Sequence, residues 1–156
     1  MKKFRGKKRY FHNLSRQLDV AHYDLDFGEE GWFDFWHTHL DFYGYGDNSL
    51  KLRKEHIKAH IILYKSLLEN LQVFEKPYQS WIELADEDAG SDAVFIHTPN
   101  PNDDNFPLKL ENLKWDCPIP KEYKDLINLN EFNVGLYTGE SNNILIIQSK
   151  NSGVRL

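Results

Sequence analysis

The sequence predicts an α+β domain in which a largely antiparallel sheet, built from three hairpins, packs on one long helix at about residues 50–71. Three observations predict it. Short apolar runs, bounded by Gly, Asn, Asp and Pro, recur along the chain as hairpin strands do. One stretch alone places its apolar residues at helical spacing. No second helix is long enough to serve as a crossover, which removes a doubly wound α/β fold.

The elements follow in order. Residues 1–12, MKKFRGKKRYFH, are basic and interrupted by Gly6, and they read as an N-terminal arm ahead of a single domain over 13–156. From Val20 the pattern alternates, with Ala21, Tyr23, Leu25 and Phe27 on one side and His22, Asp24 and Asp26 on the other. Gly28-Glu29-Glu30-Gly31 supplies a turn, and the aromatic run Trp32–Tyr43 returns as the second strand of the first hairpin. Ser49 is placed to cap a helix whose apolar side is Leu50, Ile57, Ile61, Tyr64, Leu68 and Leu71, with Pro77 beyond its end. Ser80–Leu84 and Ala93–Thr98 form a second hairpin around the acidic loop 86–92. Residues 99–120 hold five of the six prolines and make a long connection with a short strand at Leu108–Leu113. A short helix near Lys121–Leu126 precedes a third hairpin, Asn133–Thr138 with Asn143–Ser149.

The histidines are the most distinctive feature. In a strand, residues two apart share a face, so His37, His39 and Asp41 project together, the way an H-x-H pair offers two imidazoles to one metal. If Gly28 pairs with Gly31, His22 falls opposite His37 and Asp24 opposite Phe35. On the helix, His56 and His60 are one turn apart, a spacing that suits a metal or a general base. His22, His37, His39, His56 and His60 are therefore the candidate ligands for a divalent metal such as zinc, or for a His/Asp-based enzyme. The bland alternative is a set of half-buried imidazoles bonded to carboxylates and backbone. His56-Ile57-Lys58-Ala59-His60 lacks the glutamate of H-E-x-x-H, which excludes a zincin-type protease.

Other chemistry finds no footing. There is no phosphate-binding G-x-x-x-x-G-K-[ST] or G-x-G-x-x-G, and no G-x-S-x-G nucleophile. Cys117 is the sole cysteine, so neither an internal disulfide nor a zinc knuckle is expected. No run approaches the roughly 18 apolar residues of a membrane span, and no apolar stretch follows the basic start, so a cytoplasmic protein without a membrane partner is expected.

Charge points to a partner. Six of the 19 Lys and Arg lie in residues 1–9, which leaves 13 of them against 24 Asp and Glu in the remainder, a net of −11. The arm, with Phe4, Tyr10 and Phe11, is able to contact phosphates and stack on bases, but the acidic body disfavours nucleic acid. A basic protein is the better match. Asp86, Glu87, Asp88 and Asp92 cluster in one loop and Asp103 and Asp104 stand in the Pro-rich connection, the kind of patches that steer a cationic partner. In size, acidity and aromatic content over the whole chain, with Trp32-Phe33-Asp34-Phe35-Trp36-His37-Thr38-His39 as its distinctive stretch, the sequence resembles the small bacterial immunity proteins of polymorphic and contact-dependent toxin systems. The resemblance implies a non-enzymatic, cofactor-free α+β protein that neutralises a basic, nuclease-like toxin. A monomer is expected if the aromatic strand is covered by the chain itself, and a homodimer if it is not.

Overall fold

The computed structural model describes residues 35–38, 50–85, 92–100, 102, 104–140 and 143–156. The basic arm, the strand expected at 20–27 and the loop acids 86–88 lie outside the described residues. The described elements are β1 (Phe35–Thr38), α1 (Leu50–Leu71), β2 (Gln79–Ala85), β3 (Ala93–His97), β4 (Leu113–Trp115), β5 (Phe132–Thr138) and β6 (Asn143–Ser149), with a 3-10 turn at Lys121–Tyr123. The strands form one sheet in the order β1-β3-β2-β6-β5-β4, and every neighbouring pair is antiparallel. The class is thus α+β.

The buried side of α1 runs from His56 to Leu71, where Ile57, Ala59, His60, Ile61, Leu63, Tyr64, Leu67 and Leu71 are buried while Lys58, Ile62, Lys65 and Glu69 are exposed. That distribution is the 3.6-residue period made physical. Phe74 N donates to Leu71 O at 3.0 Å, a three-residue bond that closes the last turn ahead of Pro77.

Alternation in the strands divides the core in two. Toward α1 point Ile82, Leu84, Val94, Phe132, Val134, Leu145 and Ile147, which join Ile57, Tyr64 and Leu67 in the main core. Each fully buried aliphatic side chain there contributes about 1.5–3 kcal/mol. The other face carries Trp81, Phe95 and Ile146, with Trp81 stacked on Phe95 at 5.5 Å between centroids. It is covered by the chain itself, through Leu108, Leu110 and Leu156.

Several elements differ from expectation. Two of the three expected hairpins are described, β2–β3 and β5–β6; of the first, only Phe35–Thr38 lies within the described residues, and this β1 is bonded to β3, with Phe35 opposite His97 and His37 opposite Phe95. Of the strand expected at Leu108–Leu113, residues 108–112 are not a strand. Gln79 Oε1 accepts from Leu108 N at 2.8 Å, and Gln79 Nε2 donates to Leu108 O at 3.0 Å. With both its backbone groups taken by one side chain, Leu108 makes no ladder, and pairing begins only at β4, where Leu113 meets Tyr137. The helix expected at Lys121–Leu126 is one 3-10 turn, because Tyr123 N bonds Pro120 O and Leu126 N bonds Tyr123 O, each three residues back.

Candidate functional site

His56 and His60 sit one turn apart on the buried side of α1, and their rings lie 4.6 Å apart at 34°. Across from them, Asp92 ends the acidic loop immediately before β3. Its Oδ2 is 3.7 Å from His56 Nε2. One donor atom from each of the three residues falls within 4.8 Å of the others, the only such grouping of His, Cys, Asp and Glu among the described residues. The cluster is closed: His56 is 7% exposed, His60 0% and Asp92 2%.

The hydrogen bonding sets the tautomer of His60. Its Nδ1 lies 3.1 Å from the His56 carbonyl, and a carbonyl only accepts, so Nδ1 carries the proton and the ring's lone pair is on Nε2. The chemistry open to the trio is ion pairing or metal ligation.

The structure separates residues that the sequence groups together. Asp92 belongs with the helix histidines rather than with a partner-binding loop, because a carboxylate buried beside His56 has no surface to offer. Asp104 is exposed. Asp86, Glu87, Asp88, Asp103, His22 and His39 lie outside the described residues. On β1, His37 pairs in register with Phe95, whereas His56 and His60 lie on α1.

One histidine escaped the sequence reading. His97, at the end of β3, donates from Nε2 to Asn105 O at 3.2 Å and packs against the Phe106 ring at 5.5 Å, so it fastens the Pro-rich connection to the sheet. The signal available was its place in Ile96-His97-Thr98, directly before Pro99. Cys117 is half-buried, and burial pushes its thiol up, which leaves it a poor nucleophile near neutral pH.

No family model, curated protein or solved structure matches the chain. Among the described residues, no helix is long and apolar enough to cross a membrane.

Proposed function

We propose that the chain is a non-enzymatic, cytoplasmic protein-binding module of immunity or inhibitor type, which neutralises a basic, nuclease-like partner. The observation that carries this reading is where the charge lies. Residues 10–156 hold 24 acids against 13 bases, a net of −11. An acidic excess of this size raises the association rate of a cationic partner and disfavours polyanions.

The alternative, a metal-dependent or His/Asp-based enzyme, is not favoured by the helix cluster, since His60 and Asp92 present no open face at which a substrate would sit. Aromatic residues near acids in the sequence, Tyr23, Trp32 and Tyr43 among them, have the chemistry of interface anchors.

The test is inhibition of a basic nuclease domain encoded beside this gene, followed by binding kinetics at low and high salt. Stoichiometric inhibition is expected, with an association rate that falls steeply with salt and drops about tenfold in Asp86→Asn/Glu87→Gln/Asp88→Asn. Nuclease activity untouched by an excess of the protein overturns the reading.

A further inference from the structure

We propose that His56, His60 and Asp92 hold one divalent transition-metal ion, with zinc the best match, as a closed structural centre that ties α1 to the start of β3. Nothing in the partner-binding reading requires it.

The donor set comes first. Two imidazoles and a carboxylate are ordinary zinc ligands, and histidines four apart on a helix present both rings to one ion. Distance agrees. Bonds of about 2.0–2.2 Å place neighbouring donors of a tetrahedral ion about 3.3–3.5 Å apart. The 3.7 Å between His56 Nε2 and Asp92 Oδ2 is near that edge and beyond the usual length of an N–H···O hydrogen bond. The three donors already lie within 4.8 Å, so side-chain adjustments of well under a rotamer step bring them to one ion.

The surroundings agree as well. Metal-ligating histidines characteristically donate their second nitrogen to a carbonyl or carboxylate, and His60 does this through Nδ1 to His56 O, which aims the Nε2 lone pair as a ligand. Burial decides the class of site. Three protein donors leave a tetrahedral ion one further ligand, and the side chains that would hold it are only 0–7% exposed, which favours a structural role over turnover of a substrate. The ion's location gives it a purpose. It bonds the helix to the residue at which the chain re-enters the sheet after the acidic loop, so the loop's C-terminal end is anchored where Ala93 pairs with Glu83.

Metal analysis of the tag-free full-length chain, purified from zinc-containing medium, tests this directly. About one zinc per chain is expected. A strong chelator should remove it and lower the melting temperature, and cobalt added to the stripped protein should develop the visible absorption of a tetrahedral site. Asp92→Asn and His56→Gln should each retain zinc at least about tenfold more weakly. The stripped wild-type protein answers independently of whether these variants fold. Wild-type protein with less than about a tenth of a zinc per chain, and a melting curve indifferent to zinc and chelator, overturns the proposal and leaves a His–Asp ion pair. So does zinc retained equally by both folded variants.

Discussion

The Tyr64 hydroxyl donates to the Ser80 carbonyl at 2.8 Å and accepts from the Ser149 amide at 3.1 Å, so one phenol on α1 joins two adjacent strands. The β2–β6 register runs from Ala85 opposite Ile144 to Ile82 opposite Ile147, and both backbone groups lie just beyond its end. Tyr64 takes up what the ladder leaves over. The same contact fixes the helix along its axis, one turn past His60, and with it the position of the histidine pair above the sheet.

Replacing Tyr64 with Phe keeps the packing but leaves the buried Ser149 amide without its acceptor, at an expected cost of about 1–3 kcal/mol. The pH dependence is the sharper test. Burial raises the Tyr64 pKa from 10.0 to about 12, so the folded state favours the neutral phenol. A raised pKa means the contribution is complete below pH 10 and lost as pH climbs from 10 to about 12, at most about 3 kcal/mol. Urea melts on both sides of that window should show wild type losing more than Tyr64→Phe. Equal losses would refute the assignment.

Glu83 answers to pH in the acid range. Its carboxylate accepts from Trp81 Nε1 at 2.9 Å, yet burial pushes its pKa above the ordinary 4.5. The folded protein therefore holds the proton more tightly than the unfolded chain. Its contribution is complete below the ordinary value and lost as pH rises through the folded one, so the ionised group weakens the fold at neutral pH. Glu83→Gln keeps an acceptor for Trp81 and removes the charge. The variant should melt higher than wild type at neutral pH, with the gap closing as pH falls below 4.5. A variant less stable than wild type at neutral pH would contradict this account.

Local pattern was enough for some elements and blind to others. The helical spacing from Ile57 to Leu71 describes the buried side of α1, and the turn residues around 86–92 and 139–142 separate strands that do pair. The aromatic run at Trp32–Tyr43 has no period that selects a neighbour, and Phe35–Thr38 lies against β3, far along the chain. Leu108–Leu113 alternates like a strand, but a glutamine 29 residues away occupies its first backbone groups. Asp92 looked like one more loop acid because composition reports average exposure; its burial beside His56 is decided by where β3 begins, which no local window contains.

Gly135, opposite Trp115 in the register of β5 with the edge strand β4, lies under two β4 side chains. A Cβ there would meet Leu113 Cδ1 at 2.8 Å and Trp115 Cε3 at 3.0 Å, and both belong to β4. Trp115 has little room to yield, with the Arg155 guanidinium 4.6 Å above its ring. Gly135→Ala should push the Leu113 and Trp115 side chains off β5 and cost about 1–3 kcal/mol. Tryptophan emission should shift to the red as Trp115 is exposed. Stability within about 0.5 kcal/mol of wild type would show that β4 moves freely and does not contribute to the core.

Two buried glutamines hold the last residues of the chain against the sheet, and they should act as a unit. Gln148 donates to Ser80 O at 3.2 Å and to Val154 O at 3.1 Å, and its Oε1 accepts from Leu156 N at 3.1 Å. Gln79 donates to Arg155 O at 3.1 Å as well as to Leu108 O. The backbone of 154–156 is therefore clamped from both sides, and Leu156 is pressed into the Trp81 and Ile146 cluster. Replacing either glutamine by Leu strands buried backbone groups at about 1–3 kcal/mol each. Once one clamp is gone the segment can lift and recover water as its partner, so the second substitution should cost less. The double variant is expected to fall short of the sum of the singles by about 0.5–3 kcal/mol, with faster exchange of the Leu156 amide in each. Strict additivity in a double-mutant cycle would mean that the two side chains hold the segment independently.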